Sequence, residues 1–419
     1  MKRVIGKINL EEKNVTIWGA GFSGLILGYY LKEQGHKVTI YEKSNKIGGK
    51  IQTKKTSSGL VEKGPNALYM NADGMDLLKE LKLEPLPASK KLKRLVLVNG
   101  RPRRPIQIGI LSKLATHGHI KPPLISDGLT VSEFFRPLIG AENVNKILSP
   151  ILGGIYATPA ENLHFKSVFN DVSHIAQFDS YWAFAKYMFK FHKAKPRLEV
   201  SGSVSFDGGM QTLIDRLAEE LKSEIKLNYK EDFRIKGNTI ICTDAYNAAE
   251  LLKDARPELS AELGRIRYQE ISSVTVFLKR EIRSLHRSFG VLIPLNHQFN
   301  SIGIINNKAV FPSNNENIYS YTLIVPKKCS DDEVISDIKL LAHEFDPEDI
   351  EHIENTYWER ALPIYDLQRY LAVKKMHQLD TKNQNLAIFG NYVAGISLRE
   401  MISAARTFVK NPQSTSEIK

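Results

Sequence analysis

Apolar residues follow two different rhythms along the first fifty positions of this chain. In "NVTIWG" (Asn14 to Gly19), β-branched and aromatic residues make a short strand that runs into glycine. "FSGLILGYYLKEQG" (Phe22 to Gly35) then takes up a helical spacing and stops at Gly35, a C-cap residue. "HKVTIYEK" returns to the strand pattern, so these segments predict a βαβ unit. The far end repeats part of it: "NLAIFGNYVAGISLREMISAARTFV" (Asn385 to Val409) predicts a strand, a glycine-rich turn and a helix. Between Val204 and Leu252, a glycine turn, an amphipathic helix and strands ending in "TIICTDAYNAAELL" predict a third such piece. The pattern is that of an α/β chain, α+β overall, built around a Rossmann-like unit.

Glycines mark the turn of the first unit, at Gly19-Ala20-Gly21-Phe22-Ser23-Gly24. The first permits a tight turn, the second admits a pyrophosphate close to the backbone, and the third lets helix and strand pack. Glu42, followed by Lys43, ends the second strand, where a carboxylate accepts hydrogen bonds from a ribose 2′-hydroxyl and repels a 2′-phosphate. A three-glycine turn alone is common in α/β proteins. With strand, helix and terminal acid in place, it predicts a bound dinucleotide.

Composition narrows the classes. A chain of 419 residues holds two or three domains. Two cysteines, Cys242 and Cys329, cannot build a disulfide framework and point to a reducing compartment. The charged start "MKRVIGKINLEEKN" does not read as a secretory signal, and no apolar run reaches the roughly 18 residues of a membrane span, so a cytoplasmic protein is expected. The net charge of +12 is uneven. Between Ser89 and Pro122 lie Lys90, Lys91, Lys93, Arg94, Arg101, Arg103, Arg104, Lys113 and Lys121, with no acidic residue. Such a patch suits nucleic acid, anionic lipid or an anionic small molecule. No zinc finger, RNP motif or recognition-helix pair accompanies it, which sets nucleic acid aside. His117, His119, His174 and His192 stand without the partners of a metal site, and no metal is expected.

Downstream of Glu42, "SNKIGGK" with Gly48, Gly49 and Lys50, then "GLVEKGP" (Gly59 to Pro65), resemble the extended signature of FAD enzymes of the amine-oxidase type. Further segments resemble the protoporphyrinogen oxidase family: "LGGIYATPAENLHFKSVF" (Leu152 to Phe169), "KRLVLVNGRPRRPI", "SFGVLIP" (Ser288 to Pro294) and "ALPIYDLQRY" (Ala361 to Tyr370). The matches keep the family's order from about Val15 to Val409. The resemblance implies a discontinuous FAD domain at 15–88, 200–265 and 371–412, a helical insertion at 89–199 that faces a membrane in some members, and a substrate domain at 266–370. It implies non-covalent FAD contacts at Gly19 to Gly24, Glu42, Lys43, Gly49, Lys50, Gly64, Pro65, Asn66, Ala67, Phe233, Tyr370, Gly390, Gly395, Ile396, Ser397 and Leu398. The last helix would point its N-terminus at the flavin C2 carbonyl. For the substrate it implies Arg94 as the partner of a propionate, with Phe289, Gly290 and Leu292 along the macrocycle.

The chain also departs from that family. Ala405 replaces a common glycine, "TLIVPK" (Thr322 to Lys327) lacks a glycine pair, and Ser57-Ser58 and the stretch 308–317 read as rebuilt loops.

The implied activity is oxidation of protoporphyrinogen IX to protoporphyrin IX by three hydride transfers to flavin, with oxygen or a quinone as acceptor and a homodimer as a candidate assembly. No catalytic side chain is expected, because the cofactor carries the chemistry. Coproporphyrinogen III oxidation, an amine or carotenoid-precursor oxidase and a non-catalytic porphyrin-binding homologue are the alternatives. In "DSYWAFAKYMFKFHKAK", Tyr181, Phe184, Tyr187, Met188 and Phe191 share one helical face, with Lys186, Lys190 and Lys193 opposite. That pattern suits a peripheral membrane helix or a core helix with a lysine-covered outer face.

Overall fold

The computed structural model describes residues 3–105, 110–193, 198–229, 233–294, 298–311, 318–379 and 385–410; at 110, 111 and 191–193 it describes the backbone alone. Two large sheets organise the chain. The first draws on both ends and the middle: β1 (Ile5–Lys7), β2 (Asn14–Trp18), β3 (Lys37–Tyr41), β11 (Ile225–Lys226), β12 (Asn238–Ile241) and β18 (Leu386–Ile388). Its order is β1-β18-β12-β2-β3-β11. From β18 to β11 the strands run parallel, while β1 lies antiparallel along β18, with Ile5 opposite Ile388. The charged start of the chain, read on sequence only for its lack of a secretory signal, thus holds an edge strand.

The second sheet has the order β17-β13-β16-β15-β14-β8-β9. Its members are β8 (Lys93–Val98), β9 (Arg101–Arg103), β13 (Tyr268–Leu278), β14 (Ser288–Leu292), β15 (Gly303–Asn306), β16 (Tyr319–Val325) and β17 (Ile350–Pro363). Residues 93–103, grouped on sequence with the helical segment 89–199, are strands here. β8 pairs in parallel with β14, Arg94 opposite Gly290, and buries Val96 and Leu97. The loops between the sheets carry a hairpin, β4 (Thr53–Lys55) with β5 (Leu60–Glu62), and a small sheet of β6 (Leu68–Tyr69), β10 (Ser203–Ser205) and β7 (Leu86–Pro87).

Helices cover the first sheet on two cores. One core joins it to α1 (Phe22–Glu33), α2 (Ala72–Glu80), α8 (Gln211–Glu220) and α15 (Leu398–Lys410). The other joins it to α9 (Ala245–Leu252), α10 (Pro257–Gly264), α13 (Leu367–Leu379) and α14 (Asn391–Ala394). In α1, Gly24 to Leu31 are all buried, as a helix held between a sheet and α15 must be. A short helix, α11 (Asn307–Val310), follows β15, and α12 (Asp331–Leu341) packs Val334 and Ile338 on the second sheet.

A third core belongs to α3 (Ile110–His117), α4 (Val131–Asn143), α5 (Ser149–Tyr156), α6 (Phe165–Val168) and α7 (Tyr181–Lys193), centred on Phe134, Phe165 and Tyr181. It shows which face of α7 is buried. Tyr181 and Phe184 are buried in this core, and Tyr187 and Met188 pack against it. Phe191 and Lys193 have side chains outside the described residues. The exposed face of α7 instead carries Trp182, Phe189, Lys186 and Lys190, and Phe189 is 70% exposed. No helix among the described residues is long and apolar enough to cross a membrane.

Candidate functional site

The first glycine turn sits where β2 meets α1. Gly19 has φ +106°, and a Cβ on Gly24 would stand 1.9 Å from the Gly19 carbonyl oxygen, so both positions require glycine. Gly21 is the N-cap of α1 and offers no side-chain cap, and the first turn holds no acidic residue. The amides of Ser23 and Gly24, in the first turn, have no partner within the helix and suit an anion at its positive end. A bridge between Gly21 and Gly48 lays the second glycine pair against the first, and Gly48 N–H donates to the Ala20 carbonyl at 2.8 Å.

Glu42 already holds this loop together. Its carboxylate accepts from Ala20 N–H and Ser44 N–H, both at 2.9 Å, leaving further lone pairs for a ribose. Lys43 beside it is exposed. Around the same strand ends, Tyr41 stacks on Tyr229 at 4.0 Å and Trp18 meets Phe233 edge-on at 5.0 Å. The indole N–H of Trp18 is buried without a partner. Phe233 was expected from the sequence; Trp18, Tyr41 and Tyr229 were not, because aromatic residues at strand ends are ordinary in β structure.

On the other side of the glycine pair, the Lys50 ammonium reaches both Asp244 oxygens at 2.8 Å and lies 5.4 Å from the Tyr268 ring centre. Asp244 had no sequence signal beyond a place before α9. Gly64, Pro65, Asn66 and Ala67 form a half-buried loop pinned by Trp358, whose indole N–H donates to the Lys63 carbonyl at 2.6 Å. The amide oxygen of Asn66 is buried with no partner. Glu62, from the same signature, turns elsewhere. It accepts from Met210 N–H at 2.7 Å and from the Thr53 hydroxyl at 2.8 Å, at the start of α8. Burial pushes its carboxyl up to about 7.

The last helical unit supplies Gly390 at the start of α14, Gly395 with φ +122°, then Ile396, Ser397 and Leu398. Ile396 leans on the helical core and Leu398 on the core of the first sheet. The start of α15 carries an acid that the expected flavin contact did not include: Glu400 accepts from Ser397 N–H at 3.2 Å and from its hydroxyl at 2.7 Å. Tyr370 is engaged away from both glycine turns. Its hydroxyl donates to Asp127 at 3.0 Å and its ring stacks on buried His164 at 4.1 Å.

The residues expected to meet a substrate do come together. Arg94 and Gly290 are paired across β8 and β14, and the Arg94 guanidinium lies 4.9 Å from the Phe289 ring centre. Leu292, two residues along β14, packs against Gly154 of α5, where an added Cβ would meet it at 2.6 Å. A cation and an aromatic face thus stand together at one end of β14, and an aliphatic side chain packs against the helical core at the other. Of the stretch 308–317, read as a rebuilt loop, the first residues belong to α11 and 312–317 lie outside the described residues.

Open amides at α1, an acid at the end of β3 and orphaned polar atoms at Trp18 and Asn66 fit a dinucleotide that crosses the first sheet. A two-sheet α/β fold with such a cradle is the architecture of a dinucleotide-binding oxidoreductase. The sequence profile of the flavin containing amine oxidoreductases matches residues 22–231, half of the chain, and the chain belongs to that family. Protoporphyrinogen oxidase 2 of Arabidopsis thaliana is 26% identical over 94% of this chain and 92% of its own length. Coproporphyrinogen III oxidase of Bacillus subtilis is 23% identical over 69% and 72%. Cyclohexylamine oxidase of Brevibacterium oxydans superposes with a TM-score of 0.69 at 14% identity, over 96% of this chain and 98% of that one, and shares the fold.

Proposed function

We propose that the protein uses FAD to oxidise protoporphyrinogen IX to protoporphyrin IX. The observation that carries this reading is the Arg94–Phe289–Leu292 wall. A guanidinium matches a propionate, and an aromatic ring beside an aliphatic side chain matches a flat, carbon-rich macrocycle. Full-length similarity to protoporphyrinogen oxidases supports it. FAD, when bound, supplies the acceptor for hydride leaving a meso carbon, three times per product. The chain's own work is binding: the α1 amides take the pyrophosphate, Glu42 the ribose, the aromatic cluster the adenine end, and Lys50, the 64–67 loop and the 395–398 turn the flavin end. Arg94 would orient the substrate through a propionate, and the helical core would exclude water.

A second reading, coproporphyrinogen III oxidation, is favoured by the edge beside Arg94. Lys90, Lys91, Lys93, Arg101, Arg103 and Arg104 are all exposed there and suit a substrate with four carboxylates. Purified protein supplied with each porphyrinogen in turn, with porphyrin fluorescence followed over time, separates the two. No porphyrin from either refutes both. The protein should be yellow and should release its FAD on denaturation, since no Cys or His stands in a recognised flavin-attachment context. We propose a peripheral membrane contact on the outer face of α7, where Trp182 and Phe189 are exposed together with Lys186 and Lys190.

A further inference from the structure

Behind the 393–395 turn lies a cleft of about 200 Å³ bounded by α6, α13 and the chain start, and its lining is mostly donors. Arg3, Lys166, Arg369 and Lys374 all face it, with Ser167 and Tyr370. The acids nearby are already engaged. Asp127 accepts from Lys166 and Lys374 at 2.6 Å each and from Tyr370, and these partners, Lys166 first, hold it well below the usual carboxylate range. Glu400 accepts from Ser397 and pairs with Arg3 at 3.5 Å. Four cations against two carboxylates leave an excess of positive charge.

Arg369 is the unusual member. It is 4% exposed, yet it forms no ion pair among the described residues. Its Nε donates to the Tyr392 carbonyl at 2.8 Å, its Nη1 reaches the Ser167 hydroxyl at 3.4 Å, and its plane lies 4.1 Å from the Tyr365 ring centre. The third nitrogen, Nη2, has no acceptor among the described residues and is left to the solvent of the cleft. A guanidinium removed from water without a carboxylate is costly unless an anion completes its shell. We infer that this cleft binds a small oxyanion, a carboxylate or a phosphate, held by Arg369 with Lys166 and Lys374 around it.

The volume suits one such group and is below that of pockets for whole drug-sized ligands, so the tetrapyrrole ring itself does not fit. The same chemistry has two sources: a free phosphate or dicarboxylate, or a single propionate arm of a bound tetrapyrrole. Anion binding is read without turnover, and only its assignment to a propionate arm rests on the proposed activity.

The test is calorimetric titration of the flavin-loaded protein with sodium phosphate and with sodium succinate, against sodium chloride at equal ionic strength. Saturable binding of one anion per chain is expected. Arg369→Gln should weaken it by about tenfold or more and Lys374→Gln by a smaller factor, while Glu400→Gln, which removes a lining carboxylate, should tighten it. Lys374 is near the surface, so Lys374→Gln keeps the test decisive if Arg369→Gln fails to fold. Competition between phosphate and coproporphyrin would assign the cleft to a propionate arm; simultaneous binding would assign it to a free anion. No heat beyond the chloride control, or equal affinities in wild type and the folded variants, would overturn the inference.

Discussion

Glu62→Gln should make the protein more stable in mild alkali and leave it almost unchanged in acid. Glu62 sits at the start of α8 with its carboxyl enclosed, accepting Met210 N–H and the Thr53 hydroxyl. Burial outweighs both hydrogen bonds and raises its pKa from 4.5 to about 7. A raised folded-state value means that the folded chain holds this proton more tightly than the unfolded chain. The resulting stability is fully present below about 4.5 and is lost as pH rises through about 7. A shift of that size corresponds to about 3 kcal/mol between the two limits. Glutamine keeps an oxygen for Met210 N–H and cannot ionise, so it removes the loss. Urea unfolding of wild type and variant at pH 4 and pH 8 measures the effect: near-equal stability at the first and a gain of roughly 3 kcal/mol at the second. The difference between the proteins is the quantity to follow, because His164 acts in the opposite sense. Burial lowers its imidazole to about 4, so its contribution is complete above its ordinary value of 6.5 and is lost as pH falls through about 4. A variant equally or less stable at pH 8, or one with an undiminished pH slope, would refute the account of Glu62.

Arg94→Ala should lower kcat/KM for the porphyrinogen by about tenfold with FAD content unchanged, whereas Arg101→Ala on the neighbouring strand should have a much smaller effect; equal losses would reduce Arg94 to diffuse attraction. Asp244→Asn releases Lys50 from its bidentate partner, and FAD should then bind about threefold to tenfold more tightly in an equilibrium titration; unchanged or weaker binding would remove Lys50 from the cofactor's reach. Lys186→Glu with Lys190→Glu should abolish salt-sensitive binding to anionic vesicles while the protein stays folded, and Phe189→Ser should weaken binding in low salt as well; indifference to all three changes would leave the outer face of α7 as plain solvated surface.

The βαβ unit was legible in advance because its signals are local. Alternation in β2 and β3, helical spacing in α1 and glycines at fixed offsets all lie within some thirty residues. The pairing of β8 with β14 was less so: Arg94 and Gly290 are far apart in sequence, and only the resemblance put them in one pocket. Lys50 was foreseen, but not Asp244, since an acid before a helix reads as a cap and no spacing links the two. Glu62 shows the opposite hazard. It belongs to a recognised cofactor signature, yet its carboxylate supports the start of α8, so a motif can mark a site with residues that shape it from outside. The α7 helix was half legible. Periodicity found its apolar face, but burial depends on partners, and Trp182 and Phe189 stand among the lysines where a two-sided pattern hides them.

The place of β18 has a consequence for how the protein is made. Leu386–Ile388 lie between β1 and β12, so a strand from near the end of the chain fills an interior position of the first sheet. As the chain leaves the ribosome, β12, β2 and β3 can pair early, but β1 has no neighbour until almost everything else has been synthesised. Until then β12 presents an unpaired edge in a chain of several hundred residues, a template for mispairing between nascent molecules. The turn at 395–398 follows that strand and forms later still. Biogenesis therefore has an order: the helical and second-sheet cores can form before β18 has been made, the complete first sheet only after it. A truncation that removes the last few dozen residues would open the middle of a sheet, a defect that repacking at an edge cannot repair.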